Sequence, residues 1–147
     1  MSKKAKASPI MKEVDVSRYK IILDYKIEQM VQYVMGKYKN EFTILPHVEE
    51  IEPDVFEMTG VWFPEQVNST TASNYEGENI MGLVKEGYDI VKGTGHIHTH
   101  PNMSVNPSPK DQQDIYDRAD ESAGLSVGVI TNEDYDYYGH IVDFTKG

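Results

Sequence analysis

The run Gly95-His96-Ile97-His98-Thr99-His100-Pro101 places three of the chain's five histidines within five positions. Alternate side chains of a β-strand share one face, about 6.6–6.8 Å apart. His98 and His100 therefore project side by side, and their imidazoles can converge on one ion. Ten residues separate His100 from Asp111, which follows Ser108-Pro109. Two neutral nitrogens and one carboxylate oxygen make three ligands. A catalytic zinc site commonly takes three from the protein and leaves the fourth position for water. Cysteine is absent, so disulfides and thiolate sites are excluded and any metal must be held by His, Asp or Glu.

Each piece also has a plainer reading. Alternating histidines can be a solvated strand face. Ser108-Pro109-Lys110-Asp111 spells a helix start, with Ser108 as N-cap, proline at the first helical position and Asp111 in the capping-box place. A shifted register through His96 and His98 is also open. The combination favours metal, because the cap falls just past the HTHP strand end across a Pro- and Asn-rich loop.

The elements that must position these residues can be read from periodicity. Tyr19 to Leu23 reads as a strand. Asp24 then caps a helix whose apolar residues Ile27, Met30, Val31, Val34, Met35 and Tyr38 recur at intervals of three and four. A strand follows from Glu41, with Pro46 pushing it toward an edge or a bulge. Val55 to Phe63 is its neighbour across a Pro53-Asp54 turn. Residues 64–79 form a long polar loop, of a length often functional, followed by a short helix near Ile80 to Lys85 that Gly87 ends. Tyr88 to His100 reads as a third strand. A helix from Ser108-Pro109 to Glu121 has Ile115, Tyr116 and Ala119 facing inward, and two strands close the chain around Asn132 to Asp134. The expected class is α/β: a mixed sheet packed with two or three helices in one compact domain over residues 14–147, after a disordered tail at 1–13.

The chain has 147 residues and a net charge of −10, from 14 basic and 24 acidic side chains. That field repels phosphate backbones, so nucleic acid is not expected as the main ligand. No apolar run approaches the ~20 residues of a membrane-spanning helix, and the start, MSKKAKASP, lacks the apolar core of a secretory signal. The cytoplasm is the expected location. Gly93-Thr94-Gly95 is no nucleotide fingerprint. Single roles are expected to be structural for His47 and His140, and Trp62 is expected in the core.

His98-Thr99-His100-Pro101, then Ser108-Pro109-Lys110-Asp111 after seven intervening residues, resembles the motif of the JAMM zinc metalloproteases, a family that includes deubiquitinating enzymes. The resemblance implies a JAB1/MPN-like fold and zinc held by His98, His100 and Asp111. The family more often has an aromatic residue at His96, which reads here as a residue behind the ligands or in the pocket wall, or simply as a structural one. The family also carries a glutamate at the head of the strand after the first long helix, and Glu41 matches that place. Thr43 departs from the pattern, which usually has glycine there. Glu49, Glu50, Glu52 and Glu57 compete for the role and otherwise read as solvated acids.

The chemistry so implied is hydrolysis. Zinc lowers the pKa of its bound water toward ~7, Glu41 acts as general base, and Ser108 donates to the oxyanion at the start of its helix. The expected substrate is a peptide or isopeptide bond, including those at ubiquitin-like tails, bound by strand addition at Glu41 to Val48 or Val55 to Phe63. Two alternatives stand beside it. One is an MPN-like interaction scaffold without catalysis. The other is a related hydrolase of nucleic-acid metabolism, which the acidic charge disfavours.

Overall fold

A computed structural model describes residues 11–64, 66–68, 73–74, 77–101, 103–121 and 124–145. The chain runs β1 (Met11–Val16), β2 (Tyr19–Asp24), α1 (Tyr25–Lys37), β3 (Thr43–Glu52), β4 (Val55–Trp62), the short pair β5 (Val67–Asn68) and β6 (Ser73–Asn74), and α2 (Gly77–Val84). A 3-10 turn at Ile90–Lys92, β7 (Gly95–Thr99), α3 (Pro109–Glu121), β8 (Leu125–Thr131) and β9 (Tyr137–Asp143) complete it. Seven strands form one mixed sheet in the order β1-β2-β4-β3-β7-β8-β9. β2 with β4 and β7 with β8 are parallel, and the other neighbours are antiparallel. The result is a single mixed α/β domain.

α1 begins where expected. The Asp24 side chain accepts from the Lys26 amide at 3.1 Å, satisfying one of the amides a helix start leaves open. Its buried stripe is narrower than the periodicity suggested: Ile27, Val31 and Met35 are covered, whereas Met30 and Tyr38 are exposed. The stripe packs on Ile21, Leu23, Phe42, Ile44, Phe56, Met58, Ile97, Val127 and Val129 in the main core. The two edge strands approach each other. A Cβ on Gly139 of β9 would meet Val16 Cγ2 at 2.4 Å and Val14 Cγ1 at 3.1 Å, so the sheet curls toward closure at that glycine. A satellite cluster of Leu45, Leu83 and Tyr88, joined by Trp62, seats α2.

Several expectations change. β1 begins at Met11, so residues 11–13 of the expected tail are strand; residues 1–10 lie outside the described residues. The third strand is shorter than expected and starts at Gly95. Asp89 caps the Val91 amide at 3.0 Å instead, and Ile90–Lys92 turn as 3-10 helix. Tyr116 points outward at 53% exposure, and α3 buries Ile115 and Ala119. Pro46 does sit beside a register shift of the β3–β4 ladder. The extra residue lies opposite, where Gly60 takes φ +80°, a conformation that suits glycine in a bulge. Neither β3 nor β4 is a sheet edge, as strand addition there required, since each is flanked by two partners. Among the described residues the pairing thins where β7 meets β3 at Thr43 and Ile44, where the β3–β4 ladder ends at Leu45, and where β2 stops at Met58.

Candidate metal centre

β7 sorts its side chains by alternation. Ile97 enters the main core, whereas His96 and His98 take the opposite face of the sheet, on which α3 packs against β8 and β9. His100 follows one residue past the strand. Its amide donates to Thr131 O at 2.9 Å, which keeps the chain aligned with β8 through the turn at Pro101. Asp111 comes from the first turn of α3. Ser108 and Asp111 close a reciprocal cap: the Asp111 amide donates to Ser108 Oγ at 3.0 Å and the Ser108 amide to Asp111 Oδ2 at 2.9 Å. The capping box read from the sequence is present. The same carboxylate oxygen also faces the histidine strand.

Glu41, His100 and Asp111 are brought together, with one ligand atom from each lying within 4.8 Å of the other two. His100 Nε2 stands 3.1 Å from Asp111 Oδ2 and 4.0 Å from Glu41 Oε2. All three side chains are buried. Glu41 arrives from the segment between α1 and β3, which Thr99 ties to β7: Phe42 N donates to Thr99 Oγ1 at 2.9 Å, and Thr99 N to Phe42 O at 3.1 Å. Thus the residue between His98 and His100 uses its own opposite-facing side chain to hold the glutamate segment alongside.

His98 is outside that three-residue group. It is buried at 2% exposure on the same face, with Nδ1 3.4 Å from Thr43 Oγ1, and Thr43 is its register partner on β3. His100 has its Nδ1 2.9 Å from Ser104 O. A carbonyl only accepts, so Nδ1 carries the proton. Both imidazoles therefore have Nδ1 turned to a protein partner, the arrangement that orients metal-ligating histidines. The donor set fits a borderline divalent ion such as zinc by chemistry: imidazole nitrogens with a carboxylate and no thiolate.

Electrostatics follow from burial and closeness. Burial pushes the Glu41 carboxyl up to about 7; His100 opposes the rise, and Asp111 adds to it. Burial would raise Asp111 too, but the hydrogen bonds from His100 and the Ser108 amide hold it well below the usual carboxylate range. His100 loses by burial and gains more from Asp111, Ser104 O and Glu41, so it rises above its ordinary value. Burial lowers His98, against the pull of Asp111.

Beneath the site lies a second tier. His96 pairs across β8 at Gly128, and Gly128 pairs with His140 of β9, so one sheet row reads His96-Gly128-His140. The His96 ring stands 5.3 Å from His98 and 5.7 Å from His140, centre to centre. His96 is fully enclosed, and desolvation followed by His98 drives it well below its ordinary pKa. It is packed behind His98 and out of the converging group.

Of the remaining expectations, His47 accepts from the Asp89 amide at 2.7 Å and stacks beside Trp62 and Tyr88, a structural role. Glu49, Glu50 and Glu52 are exposed and Glu57 is half-buried, and none of them belongs to the converging group. Sequence reasoning missed Gln66, whose carboxamide bonds both main-chain groups of Thr43. A side chain reaching 23 residues back leaves no periodic trace. Among the described residues no helix is long and apolar enough to cross a membrane. The chain matches no model of a known protein family and no curated protein.

Proposed function

We propose that the protein is a JAMM-type, zinc-dependent metallopeptidase or isopeptidase with a JAB1/MPN-like fold. His98, His100 and Asp111 would hold the ion and Glu41 would serve as the base. The observation that carries this reading is the buried convergence of Glu41, His100 and Asp111 within 4.8 Å, with His98 adjacent on one strand face. Zinc held there would supply a Lewis acid and make a water molecule acidic enough to attack near neutral pH.

The chain's own residues carry the rest. Thr43 and the Ser104 carbonyl set the imidazoles with Nδ1 inward, so Nε2 is the ligand atom of each. Glu41, with its carboxyl pushed up to about 7, is suited to take a proton from the attacking water and return it to the leaving amine, because a base works best with a pKa near the working pH. Ser108 Oγ accepts from the Asp111 amide and keeps its own proton to donate to a developing oxyanion. The substrate class is a protein tail or conjugate, ubiquitin-like ones included.

One observation favours the scaffold alternative. Ser108 and Asp111 form a complete cap without help from any ion, so their presence alone does not require metal. The two readings part on Glu41→Gln. An enzyme keeps about one zinc per chain in parent and variant and cleaves ubiquitin-like fusion substrates only as the parent. Equal cleavage by both removes Glu41 from the mechanism, and a zinc-loaded parent inert on every protein tail supports the scaffold.

A further inference from the structure

The β3–β4 ladder ends at Leu45 opposite Trp62, two residues short of the start of β3. Beyond that point the chain continues through Phe63 and Pro64 outside the ladder. Gln66 fills the gap with a side chain. Its Oε1 accepts from Thr43 N at 2.7 Å and its Nε2 donates to Thr43 O at 2.9 Å, with a second contact to Pro64 O at 2.9 Å. One carboxamide thus supplies the acceptor and donor that a neighbouring strand residue would supply. It does so at the residue two positions from Glu41 and directly across the ladder from His98.

We infer that Gln66 is a positioning residue of the candidate centre, fixing Thr43 so that Glu41 and His98 keep their places. Thr43 is gripped from two directions. On the β7 side it pairs with His98 and brings Oγ1 to 3.4 Å from His98 Nδ1. On the other side Gln66 sets how deep that backbone sits. The neighbouring Phe42 is tied to Thr99, but that tie acts only toward β7. Gln66 and the β7 ladder hold Thr43 from opposite flanks, and Glu41 sits on the same short segment, so removing Gln66 unbalances that hold. The position is a place where sequence departs from the family it resembles: a threonine stands where glycine is usual, and its hydroxyl is what reaches the histidine.

This inference rests on the metal-centre reading only for its second readout. The first is a crystal structure of Gln66→Ala, with Gln66→Glu as an isosteric control that keeps an acceptor for Thr43 N and loses the donor to Thr43 O. The Glu41 carboxylate is expected to withdraw from His100 Nε2 by about 1 Å or more in Gln66→Ala, a displacement large enough to matter for catalysis, and by less in Gln66→Glu. The second readout is cobalt(II) titration followed by its visible absorption. Affinity is expected to fall about tenfold in Gln66→Ala, as for loss of a partner behind a ligand. A variant that keeps Glu41 and Thr43 in place and binds cobalt as the parent does overturns the inference. If the parent binds no cobalt, the metal reading fails, and the displacement of Glu41 alone decides the clamp.

Discussion

His100 Nε2 and Asp111 Oδ2 lie 3.1 Å apart inside the protein, while the other nitrogen of the same ring faces the Ser104 carbonyl at 2.9 Å. Both partners only accept, so this geometry is that of a doubly protonated imidazole. A metal ion at Nε2 would take the place of a proton. Binding should therefore release a proton and weaken as pH falls through the raised pKa of His100. The sign is fixed: below that pKa the proton competes, above it there is none to displace. Calorimetric zinc titrations at pH 5.5 and 7.5 are expected to show about a tenfold loss of affinity per pH unit on the acid side. A pH-independent affinity would mean that His100 is not a ligand.

Thr99 links the glutamate segment to the histidine strand through a buried hydroxyl. Thr99→Val keeps the shape and leaves the Phe42 amide without its acceptor. The expected cost is about 1–3 kcal/mol in urea unfolding, with loss of hydrolysis at temperatures where the variant is still folded. Unchanged stability would show that solvent or a neighbouring carbonyl serves the amide equally well.

Gly128 lies at the middle of the row joining His96 to His140. A Cβ there would come within 2.4 Å of His140 Nε2 and 2.8 Å of His96 Cε1. Gly128→Ala is expected to cost about 1–3 kcal/mol by overpacking. Because the clash is with a ring rather than backbone, adding His140→Ala should recover part of the loss. A Gly128→Ala protein as stable as the parent would show that the row opens freely.

The same row predicts acid lability. Desolvation, then His98 and Arg118, against the pull of Asp111, bring His140 down to about 4, from an ordinary value near 6.5. Between those values the unfolded chain binds the proton that the folded chain refuses, so this stability is present above about 6.5 and lost as pH falls toward 4. The share from His140 is on the order of 3 kcal/mol. The urea midpoint of the parent should drop across that window, and that of His140→Phe should drop less. Identical slopes would remove His140 as a cause.

Much of the frame was legible because its signals are local. Asp24, Ser108 and Gly87 mark helix ends through short-range caps, and Ile27, Val31 and Met35 repeat with the helix. Of the three ligands named from the HTHP and Ser-Pro spacing, His100 and Asp111 stand 3.1 Å apart, whereas His98 lies outside the converging group. What escaped depends on contacts distant in sequence. Residues 11–13 read as tail because Lys12 and Glu13 give them no apolar alternation; they are strand because β2 pairs with all six residues of Met11–Val16. Tyr88–Lys92 has strand-like composition, but the Asp89 side chain bends it locally. Met30 and Tyr116 fit an apolar stripe yet stay exposed, Tyr116 with its ring edge-on to Phe144. The Gln66–Thr43 clamp is a tertiary hydrogen bond with no pattern to announce it.

The ion itself is the most direct test. Purified protein, stripped of metal and titrated with zinc, should bind one ion per chain, and His100→Ala, His98→Ala and Asp111→Ala should each abolish that stoichiometric binding while remaining folded. A parent that takes up no zinc, or a His100→Ala protein that still holds a full equivalent, would contradict the account.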